Sequence, residues 1–203
     1  MKLNLPNRLT VLRLLLVPVF IIVLMVSDAL WAEIVGLVLF CVAAYTDRLD
    51  GKIARRENLV TDFGKFLDPL ADKFMVIGAM LVILFKAMSD AEPNRIFCTV
   101  FFWGLLIVFF RELAVTSMRL VVSSSSGIVI AANMLGKIKT VSQIVCVIAC
   151  LLERILYGQI EALAGMRKYL PLSVATTAVM AFFTLLSGIH YIKGYWKYLD
   201  PEK

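Results

Sequence analysis

Residues 47–72 read DRLDGKIARRENLVTDFGKFLDPLAD, a polar segment between two long apolar stretches of the chain. Four of its aspartates form two pairs. Asp47 and Asp50 are three residues apart, and Asp68 and Asp72 are four apart. Either spacing places both carboxylates of a pair on one face of a helix. If the two helices face each other, four carboxylates converge at one end of the helix pair.

The composition around this segment is that of a membrane protein. Of the 203 residues, 61% are hydrophobic and only 18% are charged, and the mean hydropathy is +0.87. Soluble domains have about 45–50% apolar and about 25% charged residues, so a soluble globule of this size could not bury so much apolar surface. The same figures exclude disorder. The four cysteines form no C-x-x-C pair, so neither a zinc site nor a disulfide framework is predicted.

Six stretches approach the length of about 20 apolar residues that a spanning helix needs. They are residues 9–26, 30–45, 66–85, 96–122, a stretch centred on 141–152, and 170–192. We therefore predict an all-α polytopic protein with six transmembrane helices in a single domain over residues 1–203. A short segment at residues 3–7 is expected to lie along the membrane interface. The serine run at residues 123–126 predicts a flexible loop.

The distribution of Lys and Arg predicts the orientation. With six spans both termini share one side, and that side receives 16 of the 21 cationic residues. The other side receives the remaining five: Lys86, Arg95, Arg154, Arg167 and Lys168. Because positive charge is retained in the cytoplasm, both termini and the polar segment are predicted to be cytosolic.

Ionisable residues at a membrane face indicate a functional site. Clustered carboxylates need cations, and hard divalent ions fit best because the segment has no His or Cys that would favour zinc. Two Mg²⁺ or Mn²⁺ ions held there would suit phosphoryl transfer. A divalent-cation transporter is an alternative, but the aspartates lie near one membrane face and no repeated halves are visible.

The small residues between the carboxylates predict close approach of a ligand to the backbone. Gly51, Ala54 and Gly64 carry little or no side chain. Arg55 is placed to meet a pyrophosphate with its planar fork of donors. The alternative interpretation is that the glycines only end helices.

The segment follows the pattern Asp-x2-Asp-Gly-x2-Ala-Arg-x8-Gly-x3-Asp-x3-Asp and resembles the signature of the CDP-alcohol phosphotransferase family at every defined position. The resemblance implies six transmembrane helices, a homodimer and a site open to the cytosol. It also implies roles for particular residues. The metal ligands would be Asp47, Asp50, Asp68 and Asp72, with Asp72 also the general base, and the groups that bind CDP-diacylglycerol would be Gly51, Ala54, Arg55 and Gly64.

Four segments are similar to the bacterial phosphatidylglycerophosphate synthase branch of that family: LPNRLT at residues 5–10, LVTDFGKFLDPLADK at 59–73, RELAVT at 111–116 and AANMLGKIKT at 131–140. That similarity implies a bacterial cytoplasmic-membrane enzyme that joins CDP-diacylglycerol to sn-glycerol 3-phosphate, with membrane lipids around it and no nucleic-acid partner. Two departures are Arg48, where an aromatic residue is common, and Ser117-Met118 in place of Gly-Leu. Serine, inositol phosphate or a lipid remain alternative acceptors.

The acceptor carries a dianionic phosphate, so its pocket needs cations. The candidates are Arg111, Arg119, Lys137 and Lys139, at the cytosolic ends of the fourth and fifth predicted helices. Alternatively, these four residues set the orientation of the protein in the membrane and contact lipid headgroups. Arg111 could instead pair with Glu112 or with another buried carboxylate.

Overall fold

The computed structural model describes residues 4–56, 61–126, 134–160, 165 and 169–196, without the side chains of 50–52, 54–56, 62, 65 and 123–126. Over these residues it contains six long helices and no strand. They are α1 (Leu5–Val26), α2 (Leu30–Arg56), α3 (Asp62–Ser89), α4 (Arg95–Ser126), α5 (Met134–Gln159) and α6 (Pro171–Trp196). The all-α prediction is therefore confirmed.

Five of the helices are long and apolar enough to cross a membrane, namely α1, the Leu30–Leu49 part of α2, the Arg95–Val122 part of α4, α5 and α6. Helix α3 has 28 residues, enough to span, but it carries Asp72, Lys73 and Lys86 at the two ends of its apolar part. The chain is a multi-pass membrane protein.

Local signals explain where α1 and α3 begin. The Asn4 side chain accepts a hydrogen bond from the Asn7 amide (3.1 Å), with Pro6 in the first turn, where its missing N–H has no consequence. The described part of the expected interfacial segment, residues 4–7, is thus the N-cap and the first turn of α1. Thr61 caps α3 in the same way, because its hydroxyl accepts from the Gly64 amide at 3.1 Å.

One expectation and one alternative interpretation about helix ends are wrong. The predicted loop at residues 123–126 is the last turn of α4, which runs to Ser126. Serine is only mildly unfavourable in a helix, and Gly127 is the first strong helix breaker after it. Gly51 lies inside α2 and Gly64 inside α3, so neither glycine ends its helix. Charged and polar residues therefore extend the spanning helices beyond the apolar stretches.

The helices pack through small residues and an apolar core. Helix α1 packs against α2 and α3, and α6 packs against α4 and α5. A Cβ on Gly104 of α4 would lie 2.8 Å from Thr177 Cγ2 of α6, so these two helices approach as closely as glycine allows. The rings of Phe20 and Phe40, with centroids 5.9 Å apart, join α1 to α2 in the core.

The interface of α5 with α6 contains buried polar groups. Glu153 of α5 is almost fully buried and accepts hydrogen bonds from the first turn of α6: the Leu172 amide (2.9 Å), the Ser173 amide (2.6 Å) and the Ser173 hydroxyl. Cys146 lies 3.5 Å from the Thr177 hydroxyl, and all four cysteines are free thiols. Glu153 thus caps a neighbouring helix rather than its own.

Ion pairs close one end of the bundle, which we call the far end because the cavity described below lies at the other end. Lys86 is buried and lies 2.9 Å from Glu33 and 3.2 Å from Asp28. Arg154 lies 3.3 Å from Glu33 and 3.2 Å from Asp90. These pairs connect α2, α3 and α5 beyond the core.

Candidate active site

Three polar residues on α1 face the aspartate helices. Asn7, Thr10 and Arg13 recur every three residues, and all three are buried, with Arg13 0% exposed. The Asn7 amide group donates to the Thr61 hydroxyl (3.0 Å), which joins α1 to the start of α3. Sequence reasoning counted Arg13 only as a topological charge. The repeat of polar residues on one face of an otherwise apolar helix is the signal that could have identified them.

Helix α1 contacts one aspartate of each pair. Arg13 Nη1 lies 2.6 Å from Asp47 Oδ1, and the Thr10 hydroxyl donates to Asp68 Oδ1 at 2.8 Å. The Asp47 side chain is 30% exposed, whereas Asp68 is among the exposed residues. The two carboxylates therefore sit in different environments, the first beside a buried guanidinium and the second beside a hydroxyl at the surface.

A cavity of about 760 Å³ opens between α2, α3, α4, α5 and α6 at the end of the bundle where Arg13 meets Asp47. We call this the cavity end. Asp47 and Asp72 line it, and so do the four cations predicted to bind the acceptor: Arg111, Arg119, Lys137 and Lys139. Asp68 is outside the lining. The tertiary structure thus brings six of the predicted site residues to one space.

Asp72 is a partly buried carboxylate of this cavity. Its Oδ1 is shielded from solvent and accepts no hydrogen bond from the part of the chain that the structure describes. Its neighbour Lys73 also lines the cavity and donates to the Thr116 hydroxyl of α4 at 2.6 Å. Lys73 and Thr116 were not predicted as site residues, although both fall within segments that carry the family resemblance.

The carboxylates fit a hard divalent cation in chemistry. Carboxylate oxygens are the donors that Mg²⁺ and Mn²⁺ prefer, and Asp72 Oδ1 is a buried acceptor to which no described residue donates a hydrogen bond. Within the described ranges, no three Asp, Glu, His or Cys side chains lie close enough together to hold an ion. The side chain of Asp50, one of the four predicted ligands, lies outside the described residues.

The residues predicted to bind CDP-diacylglycerol are only partly described. Gly51, Ala54 and Arg55 lie in the last turns of α2, and their side-chain positions are outside the described residues. Gly64 is buried against α1, and a Cβ there would lie 2.9 Å from Asn7 Oδ1. A side chain at position 64 would therefore displace the Asn7 side chain or separate α3 from α1.

The four predicted acceptor cations divide into two kinds. Arg119 and Lys137 are exposed. Arg111 and Lys139 are largely buried, and both contact Glu112 Oε1, at 3.1 Å and 2.5 Å respectively. The alternative that Arg111 pairs with Glu112 is confirmed. The sequence had not indicated that Lys139 shares this carboxylate.

Comparison with known proteins gives the family. The family model of CDP-alcohol phosphatidyltransferases matches residues 3–189. A CDP-diacylglycerol–glycerol-3-phosphate 3-phosphatidyltransferase of Bacillus subtilis is 38% identical over 211 residues, covering 98% of each chain. Proteins of the same name are 33% identical in Rickettsia felis (96% of this chain, 97% of that protein) and 35% identical in Salmonella paratyphi A (71% and 75%). Because the family model spans most of the sequence, this protein belongs to the CDP-alcohol phosphatidyltransferase family.

Proposed function

We propose that this protein transfers the phosphatidyl group of CDP-diacylglycerol to sn-glycerol 3-phosphate, forming phosphatidylglycerophosphate and CMP. Relatives that match it over 96–98% of its length are named for that reaction. The observation that carries the proposal is the cavity, where two aspartates and several cations line one space. Arginine and lysine suit the phosphates of both substrates, and a carboxylate suits removal of a proton from a hydroxyl.

Asp72 is assigned as the general base. Its buried Oδ1 accepts no hydrogen bond from the described residues, so it can accept the acceptor's hydroxyl proton within the cavity. The hydroxyl oxygen then forms a bond to the phosphorus that carries the lipid. The bond from that phosphorus to the oxygen shared with CMP breaks, and CMP leaves with the electron pair. Holding both substrates in line supplies much of the rate in such a transfer.

Asp47, Asp50, Asp68 and Asp72 are assigned to hold two Mg²⁺ or Mn²⁺ ions. The support is the carboxylate donor set and the contacts from α1 that orient two of these groups, Arg13 on Asp47 and Thr10 on Asp68. When bound, such ions neutralise charge on the phosphates. Gly51, Ala54, Arg55 and Gly64 are assigned to CDP-diacylglycerol, on the family signature alone.

The phosphate of the acceptor is assigned to the cationic part of the cavity. Arg119 and Lys137 are exposed there, which leaves their charged groups accessible to a ligand. Serine offers these cations only a monoanionic carboxylate, and glycerol offers them no charge. The charge of the lining therefore favours a phosphorylated acceptor over serine and glycerol.

We place the protein in a bacterial cytoplasmic membrane with its cavity facing the cytosol, and we propose that it is a homodimer. The cavity lies at the end of the bundle to which the Lys and Arg count assigns 16 of 21 cations. The dimer follows from the family resemblance, and the mass of the detergent-solubilised protein by light scattering tests it.

The decisive experiment measures CMP release by the purified protein in mixed micelles containing CDP-diacylglycerol. The acceptors are sn-glycerol 3-phosphate, glycerol, serine and inositol phosphate, supplied singly at equal concentration. We expect release with glycerol 3-phosphate to exceed release with glycerol or serine by at least about tenfold, because each of these lacks the phosphate that makes one charged contact. Equal release with glycerol, or preference for serine, would overturn the proposed acceptor.

A further inference from the structure

Glu112 is the carboxylate in the cavity lining that the proposed reaction does not use. Its side chain is 11% exposed on α4, and its Oε1 lies between Lys139 Nζ (2.5 Å) and Arg111 Nη1 (3.1 Å). One carboxylate oxygen thus contacts two cations from two helices. Both cations line the cavity, so Glu112 neutralises charge directly beside the space assigned to the acceptor.

Arg111 is held from several directions. Its Nη2 donates to the Ser187 hydroxyl at 2.8 Å, and its guanidinium lies 5.4 Å from the centre of the Tyr191 ring. Its Cγ is close enough to α6 that a Cβ on Gly188 would lie 3.1 Å away. Together with Glu112, these contacts fix the guanidinium between α4 and α6 before any ligand binds.

The charges around the cavity show what this arrangement does. Six cations line it: Arg48, Lys73, Arg111, Arg119, Lys137 and Lys139. Three carboxylates line it, namely Asp47, Asp72 and Glu112. Without Glu112, the buried pair Arg111 and Lys139 would be a strong anion site next to the exposed pair Arg119 and Lys137. With Glu112, the net charge of the buried group falls to +1 and both buried cations are engaged internally. The exposed cations of the lining are Arg48 on α2 and the pair Arg119 and Lys137 beside the buried group.

We propose that Glu112 is a positioning residue that selects where the acceptor phosphate binds: by engaging Arg111 and Lys139 in the wall of the cavity, it leaves Arg119 and Lys137 as the phosphate site. The inference rests on the proposed function for the identity of the acceptor. The geometry of the three charged groups does not depend on it. If the acceptor phosphate bound the buried pair, the reacting hydroxyl of the acceptor would be displaced from the position that it takes when Arg119 and Lys137 bind the phosphate.

The test uses inorganic phosphate as the probe, because its binding can be measured without turnover. The dissociation constant comes from the phosphate dependence of the thermal unfolding midpoint of the purified protein. Glu112→Gln keeps the shape of the side chain and removes its charge. We expect phosphate to bind Glu112→Gln roughly tenfold more tightly than the unmutated protein, because two cations lose their internal partner. Glu112→Asp should stay within about threefold of the unmutated protein.

Kinetics separate positioning from general damage. In Glu112→Gln we expect a lower kcat with an unchanged or lower KM for glycerol 3-phosphate, since the acceptor binds well but in the wrong place. Arg119→Ala should show the opposite pattern, a KM raised by about tenfold. Unchanged phosphate affinity in Glu112→Gln, or a raised acceptor KM with weaker phosphate binding, would overturn the proposal.

Lys139→Met tests the inference even if Glu112→Gln does not fold, because it leaves Glu112 paired one-to-one with Arg111. We expect it to weaken phosphate binding by less than about threefold, against about tenfold for Arg119→Ala. Equal weakening by the two variants would show that Lys139 binds the phosphate itself, and the inference would fail. Failure of the proposed function looks different: no CMP release from the unmutated protein with glycerol 3-phosphate, whatever the phosphate affinities.

Discussion

Two aspartates with the same assigned role should respond differently to the same substitution. Asp47 lies 2.6 Å from Arg13, whose side chain is 0% exposed, so Asp47→Asn removes a carboxylate from beside a fully buried guanidinium. Asp68 is exposed and accepts one hydrogen bond from Thr10, and an asparagine oxygen can accept the same bond. Both substitutions remove one assigned metal ligand.

The expected loss of stability follows from these environments. Breaking a buried ion pair costs about 3–5 kcal/mol, and the partial exposure of Asp47 lowers our estimate to about 2–4 kcal/mol. At about 2–4 °C per kcal/mol for a chain of this size, the unfolding midpoint of Asp47→Asn should fall by about 4–16 °C. Asp68→Asn should cost less than about 1 kcal/mol and lower the midpoint by less than about 4 °C.

The two variants should lose similar amounts of activity but different amounts of stability. Both variants should release CMP at least about a hundredfold more slowly with Mg²⁺ present, because each lacks one carboxylate of the metal site. The measurements are thermal unfolding followed by intrinsic fluorescence in detergent, and CMP release from CDP-diacylglycerol and glycerol 3-phosphate. Equal midpoints for the two variants would refute the buried-pair reasoning. Near-normal activity in Asp47→Asn would refute its assignment as a metal ligand.

Three further predictions concern the rest of the molecule. Glu153→Ala should lower the unfolding midpoint by about 4–16 °C, because two amides and a hydroxyl of α6 lose their acceptor at a cost of about 2–4 kcal/mol. The control Glu92→Ala, at an exposed residue, should shift the midpoint by less than about 2 °C. Equal shifts in the two variants would contradict the capping role of Glu153. EDTA should abolish CMP release and added Mg²⁺ or Mn²⁺ restore it, whereas activity surviving EDTA would exclude a required metal. With the native cysteines replaced, a cysteine at Ser124 should be labelled by a membrane-impermeant maleimide only from the cytosolic side and one at Asp90 only from outside, and the reverse pattern would invert the topology.

Much of the site could be predicted because its chemistry lies in contiguous sequence. The spacing of Asp47, Asp68 and Asp72 and the surrounding small residues indicate a carboxylate site on helices without any knowledge of packing. The apolar stretches predict six helices, since about 20 consecutive apolar residues indicate a membrane-spanning helix. The ends of the helices were harder to predict. The apolar stretches stop before α2 and α4 do, and these two helices continue with polar residues to Arg56 and Ser126.

The sequence could not predict which side chains of different helices contact each other. Thr10 and Asp68 are 58 residues apart, yet they share a hydrogen bond, and Glu112 lies between cations of α4 and α5. In a soluble helix the apolar stripe shows which face is buried. In a membrane helix the lipid-facing side is as apolar as the core, so hydropathy does not distinguish the two faces. The sequence by itself determined the class, the helices and the family motif. Which cations of the cavity are exposed, and which are paired with Glu112, was decided only when α4, α5 and α6 packed together.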